Sequence, residues 1–186
     1  YDEVFNAELD TDNLEEIYAR FNTEKHPLFR GHSLSVSDVV VTDNGAFFCD
    51  SVGFKSINFD ESQTQKPDNL MGIVYVEPGK PAYAAEIKHD LESMQKAVGG
   101  LIDIVAIDGR VLVCNDEGKL IGMQGNRHIG ESTVIAGPFF VCGEAGEELR
   151  SLTDEETDGF LQQFAEPEEI SDEEVKADMG FSFLYF

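Results

Sequence analysis

Two short stretches combine residue types that could do chemistry. In Gly31-His32-Ser33-Leu34-Ser35-Val36-Ser37-Asp38, an imidazole, three hydroxyls and a carboxylate fall within eight residues. Those are the parts of nucleophilic acyl transfer, but a triad is defined by roles in space, not by closeness in sequence. The nucleophile elbow G-x-S-x-G is also absent, because no glycine follows Ser33 at the required position. The competing readings of His32, Ser35 and Asp38 are backbone capping where a loop becomes a strand, and a loop that touches a partner. Hydrolysis is the weakest of the three.

The second stretch is Asn126-Arg127-His128, which follows Gly122-Met123-Gln124-Gly125. A planar guanidinium grips phosphate or carboxylate through two parallel hydrogen bonds, so a glycine-bordered loop carrying Arg127 is a candidate ligand site. The alternative is that Arg127 pairs with one of many acids and ties the loop to a sheet. Asp116-Glu117-Gly118 lacks the periodic acids of a calcium loop and reads as an exposed turn. None of His26, His32, His89 and His128 has a cysteine or histidine partner at metal spacing, and there is no C-x-x-C. No metal site and no cofactor are expected. No nucleophile, base and orienting group can be nominated together, so no catalytic residue is assigned.

Carboxylates are the bulk feature. The 186 residues carry 13 Lys+Arg against 37 Asp+Glu, a formal net charge of −24. Residues 144–186 alone hold 14 acids and two bases. Such a balance excludes ordinary backbone-driven nucleic-acid binding and disfavours an anionic membrane surface. Asp154, Glu155, Glu168, Glu169, Glu173 and Glu174 are candidates for one acidic surface. On successive helical turns they could mimic a DNA backbone, which carries one charge per roughly 1.7 Å of axis. The plainer reading is that acids favour helix N-termini and aid solubility.

The elements that must position these groups follow from periodicity. Val4, Phe5 and Leu9 predict a strand. Asp12 is expected to cap a helix with Leu14, Ile17, Tyr18 and Phe21 on one face and Glu15 completing the cap. Lys25-His26-Pro27 ends that helix. Residues 31–41 turn into a β-rich run, and Asp43-Asn44-Gly45 predicts a hairpin into Ala46–Cys49. A further strand covers Phe54–Phe59. Residues 61–69 have no apolar side chain and are read as a linker, giving units 1–60 and 70–186.

In the second unit, Leu70–Val76 and Ala82–Ile87 read as strands, then Leu91–Val98 as a helix closed by Gly99-Gly100. Leu101–Ile107 and Arg110–Cys114 are strands joined by Asp108-Gly109, and a turn at 115–118 leads to Lys119–Met123. Thr133–Cys142 is one strand whose Gly137-Pro138 suggests an edge or bulge. Thr153 with Glu156, and Ser171 with Glu174, open two capped helices. Phe181–Phe186 reads as a final aromatic strand or packing tail. Short strands, tight turns and a few helices indicate α+β: two small units, each an antiparallel or mixed sheet with helices packed on one face. Cys49, Cys114 and Cys142 lie in apolar runs, an odd and sparse set expected to be buried free thiols. No apolar run approaches the ~18–20 residues of a membrane helix, and Tyr1 in place of Met suggests that the sequence begins inside a longer product.

These residues carry a resemblance. Leu14-Glu15-Glu16-Ile17-Tyr18, Phe21-Asn22, Phe29 through Val40 and Asp50-Ser51-Val52-Gly53-Phe54 resemble the YodL-like domain. Val76-Glu77-Pro78-Gly79, Leu91 through Gly100, Val113 through Lys119, Asn126-Arg127, Ile135 through Val141 and Leu152 through Glu156 resemble a second, uncharacterised family found with it. The resemblance implies a protein of plasmids, phages or conjugative elements of gut bacteria, and supplies no catalytic residue. The expectation is an acidic, cytoplasmic interaction protein that binds a basic DNA-binding or host-defence protein, with no membrane and no direct nucleic-acid contact. A small-ligand module around Asn126 and Arg127 is the alternative.

Overall fold

A computed structural model describes residues 1–24, 26–130, 133–146 and 148–179. The chain divides into two compact units, Tyr1–Asp68 and Asn69–Phe186. The fold is α+β, with antiparallel sheets and short helices packed against them.

In the first unit, helix α1 (Leu14–Ala19) continues into a π-helical turn, Arg20–Glu24. Its cap is Asn13, not Asp12: the Asn13 carboxamide oxygen accepts the amides of Glu15 at 3.0 Å and Glu16 at 3.4 Å. Asp12 instead accepts a hydrogen bond from Asn44. Ile17 of α1 and Phe21 of the π-helical turn pack against Phe29 and Leu34, with Phe5, Leu9, Val40 and Phe54 at the margin. The expected strand at Val4–Leu9 does not form. Phe5 packs edge-on against Phe21, and the N-terminal backbone makes a parallel bridge, Asp2 to Gln65, with the Arg30 amide donating to the Val4 carbonyl at 2.9 Å. Strands β1 (Val39–Thr42), β2 (Gly45–Asp50) and β3 (Gly53–Ile57) form an antiparallel sheet in that order. Thr42 pairs with Gly45, which leaves Asp43-Asn44 as the two-residue turn of the hairpin.

The second unit holds the larger sheet. Its strands are β4 (Leu70–Val76), β5 (Tyr83–Lys88), β6 (Ile102–Ile107), β7 (Arg110–Asn115), β10 (Phe139–Ala145) and β11 (Glu148–Arg150). They run β5-β4-β10-β7-β6, with β11 paired to β10. A separate hairpin joins β8 (Gly125–Ile129) to β9 (Thr133–Ala136). Helix α2 (Leu91–Val98), capped by Asp90 and ended by left-handed Gly99, covers one face through Met94, Ala97 and Val98. The other face packs Val74, Val76, Leu112, Phe139 and Val141 against Ile129, Ile135 and the side chains Phe160 and Phe164 of α3 (Asp154–Gln163). Covering both faces explains why the central strands read as unbroken apolar runs rather than alternating ones. Helix α4 (Asp172–Asp178) buries Val175 against Val134 and Ala136.

Two strand assignments need correction. Residues 133–142 are two strands, and β10 lies in the middle of the sheet between β4 and β7. Pro138 falls in the break, ahead of the first paired residue, so its missing N–H removes nothing from the ladder. At Gly137, with φ of +84°, an added Cβ would lie 2.3 Å from the Met123 sulfur, so only glycine fits the corner. Residues 125–129, read as a loop, form β8, while Lys119–Met123 is a succession of turns. The aromatic segment Phe181–Phe186 lies outside the described residues.

Of the stretch 61–69, Glu61–Gln63 forms a short 3-10 turn capped by Asp60, and Gln65 exchanges backbone hydrogen bonds with Tyr1 and Glu3. We propose that the connection between the units lies beyond that tie. Limited digestion with a non-specific protease is then expected to cut first between Lys66 and Leu70. Protection of this stretch with prior cleavage inside either unit would overturn the division.

Candidate functional site

The Gly31–Asp38 segment is a turn stabilised by its own side chains. The Asp38 carboxylate accepts the Ser35 amide at 2.7 Å and the Ser35 hydroxyl at 3.2 Å. Ser37 adopts φ of +84° and its amide bonds to the Cys49 carbonyl at 2.9 Å. His32 is exposed, with Nδ1 2.8 Å from the Ser33 carbonyl. Among the described residues no hydrogen bond joins His32 to Ser35 or Asp38, so the three do not form a relay.

Strand β8 is built around a buried cation. The β8–β9 register slips between Gly125 and Arg127, and the bulge re-aims Asn126 and Arg127 into the interior. Arg127 is 1% exposed, and among the described residues it is the largest fully buried side chain. Its Nη1 donates to the Asn126 carbonyl and to Asn126 Oδ1, both at 3.0 Å. Its Nη2 donates to the Lys80 carbonyl at 2.8 Å and the Phe164 carbonyl at 3.2 Å. Phe164 is the C-cap of α3, where helix carbonyls carry partial negative charge. Asn126 in turn donates to the carbonyls of Val76 at 3.0 Å and Gly137 at 2.8 Å. Burial pulls the guanidinium below its ordinary pKa, and nearby Glu168 works in the opposite direction. Neither residue presents its polar atoms to solvent. The expected ligand-gripping arginine is a clamp on backbone carbonyls, and the acid pairing foreseen as the alternative is replaced by those oxygens.

His128 points the other way along the strand and is exposed. Its Nδ1 lies 2.6 Å from Glu168, which also accepts the His128 amide at 3.2 Å. The two residues are 40 apart in sequence, so spacing gave no sign of the pair. A second carboxylate is Glu156, which its spacing from Thr153 places in the capping box but not beside two arginines. It takes a bidentate grip from Arg150, two bonds of 2.8 Å, and a further bond from Arg110 Nε at 2.6 Å. It also closes the capping box of α3 by accepting the Thr153 amide at 2.9 Å. Hydrogen bonds from Arg150, then from the Thr153 amide, hold its carboxyl well below the usual range.

The remaining acids divide by partner. Ser171 and Glu174 complete the capping box of α4. Asp154, Glu155, Glu169 and Glu173 are exposed, and no side-chain hydrogen bond or ion pair engages them among the described residues. Cys49, Cys114 and Cys142 are free and buried. Burial pushes the Cys114 thiol to about 11 and the Cys142 thiol to about 12, far from a reactive thiolate. Among the described residues no cluster of His, Cys, Asp and Glu is placed to hold a metal ion, and no helix is long and apolar enough to cross a membrane.

Two family models match the chain. A family model described as a domain of unknown function (DUF3846) matches residues 71–165, and the model of the YodL-like domain matches residues 1–59. The chain belongs to the DUF3846 family, with a YodL-like domain ahead of it. No curated protein and no solved structure matches it.

Two stability outcomes test the role of these charges. Replacing Arg127 by Met keeps the bulk but strips four hydrogen bonds from buried carbonyls. We expect a loss of about 2–5 kcal/mol in urea unfolding of the second unit. For Glu156 the folded-state pKa is depressed, so its contribution is present above the unfolded value of about 4.3 and fades as pH falls toward the folded one. The gap in urea midpoint between wild type and Glu156→Gln should therefore be constant above about pH 5 and close progressively below about pH 4. A gap that widens in acid would contradict the assignment.

Proposed function

We propose that the chain is an acidic interaction module that binds a basic protein partner, in the setting of a bacterial mobile element. One observation carries the reading: Asp154, Glu155, Glu169 and Glu173 are exposed and, among the described residues, without internal counter-ions, whereas Glu156, Glu168 and Glu174 are bonded within the fold. The free carboxylates lie on the first turns of α3 and α4 and on the segment between them. Arginines and lysines of a partner would meet them with little rearrangement. Attraction of this kind steers encounter and sets orientation more than it adds raw affinity. The partner envisaged is a DNA-binding or host-defence protein, whose basic face would otherwise meet phosphates. A small-ligand site at Asn126 and Arg127 has less support, because both side chains already serve backbone carbonyls.

The test uses a lysine- and arginine-rich model peptide with a fluorescent label. Affinity for the full chain should fall at least about tenfold between 0.05 and 0.5 M salt, as screening shortens the reach of exposed charge. The variant D154N/E155Q/E169Q/E173Q should bind about tenfold more weakly at low salt while its urea midpoint barely moves. Equal affinity of variant and wild type, or binding indifferent to salt, would overturn the reading.

A further inference from the structure

Between the β6–β7 hairpin and strand β8 lies a cleft of about 470 Å³, within the roughly 300–1,000 Å³ of known ligand pockets. Its floor is aliphatic: Val105, Ile107 and Ile129 line it, and all three belong to the core packing of the second unit. Its rim is polar and carries acceptors. Asp108 stands at the hairpin turn, with Gln163 Nε2 3.4 Å from one of its carboxylate oxygens. His128 stands on the β8 side, with Nδ1 held by Glu168 at 2.6 Å. Holding Nδ1–H on a carboxylate fixes the tautomer, so in the neutral ring Nε2 is left as an acceptor. No hydrogen bond among the described residues engages that nitrogen.

An apolar trough edged by acceptors selects a side chain with an aliphatic stem and a cationic head. Arginine and lysine have that build: their methylenes lie along apolar surface while the charged end seeks oxygen or nitrogen acceptors. A neutral aliphatic chain would fill the floor and leave Asp108 without a counterpart. An anion would face Asp108, with Glu168 behind His128. Charge complementarity therefore commits the cleft to a cation. We propose that this cleft receives an arginine or lysine side chain of the partner, with Asp108 and the His128–Glu168 pair as the specificity-determining acceptors. The inference rests on the acidic-module reading and adds to it a defined anchoring point, which diffuse surface charge does not supply. Buried basic anchors of this kind dominate many interfaces, while peripheral charges adjust encounter.

The experiment is an NMR titration of the full chain with N-acetyl-arginine methylamide, against its neutral isostere N-acetyl-norleucine methylamide. The expected result is saturable shifts at Val105–Asp108 and at His128 with the arginine probe, and none with norleucine. Asp108→Asn, which suits the left-handed backbone there (φ +46°), should weaken arginine binding about tenfold with the spectrum otherwise intact. Equal shifts with norleucine would overturn the proposal, as would an unchanged affinity in Asp108→Asn. Arginine shifts confined to Asp154, Glu155, Glu169 and Glu173 would overturn the cleft while leaving the acidic surface in place. Cleft binding alongside an unaltered peptide affinity in the fourfold surface variant would do the reverse.

Discussion

The second unit depends on one arginine placed where no water reaches. Removing a guanidinium from water is costly unless every donor meets an acceptor. Arg127 meets this demand at both terminal nitrogens with neutral carbonyls rather than a carboxylate, one from the turn after β4, one from β8 itself and one from the C-cap of α3, while its Nε is buried without a partner among the described residues. Lysine could not replace it, because a single ammonium lacks the planar fork that reaches three segments at once. The Phe164 carbonyl also accepts the Ala82 amide at 3.1 Å, so both of its lone pairs are used. Through these contacts the end of α3 is held over the sheet, and Phe160 and Phe164 cannot leave the core without exposing a charge.

Asn126 extends the same logic. Its carboxamide bonds to the last residue of β4 and to the Gly137 carbonyl at the corner before β10. Val76 ends β4, and Gly137 lies in the break between β9 and β10. The two adjacent polar residues thus close the places where the regular hydrogen bonding of the sheet ends. A bulge is what allows consecutive residues to work on the same side. The orientation of His128 toward the surface follows, since the strand resumes its alternation there.

Much of this was legible. The hairpins at Asp43-Asn44 and Asp108-Gly109, the end of α2 at Gly99 and the capping boxes at Thr153 and Ser171 are written locally, and local geometry enforces them. Buried apolar faces were also readable from Ile17 and Phe21, and from Phe160, Phe164 and Val175. What escaped was long-range. Strand β8 carries Asn126 and Arg127 at buried positions, so its pattern is polar where strands are apolar, and flanking glycines completed the impression of a loop. Pro138 looked like a strand interruption because sequence does not reveal that β9 and β10 belong to different sheets. The Asp12 cap was displaced one residue to Asn13 because Asn44, distant in sequence, takes the Asp12 carboxylate. Glu156 read as a capping-box acid and Glu168 as part of an acidic surface, and only the fold brings Arg110, Arg150 and His128 to them.

This partition of carboxylates bears on how a chain of net charge −24 stays folded. The central strands are almost free of charge: Val74-Tyr75-Val76, Leu112-Val113 and Phe139–Cys142 are fully enclosed and apolar, so like-charge repulsion is confined to the shell. Within the shell, acids on the first turns of α3 and α4 are favoured by the helix termini, which offsets repulsion between neighbours. Neutralising them removes both effects together, and the two act in opposite directions on stability. Glu156 and Glu168 differ in kind, since each has a defined cationic or imidazole partner and no compensating relief follows its loss. The acidic surplus is therefore separable from the architecture, whereas those two carboxylates are part of it. A function carried by charge can vary on the free acids without disturbing the sheet, and this separation is what allows binding and folding to be measured independently in this chain.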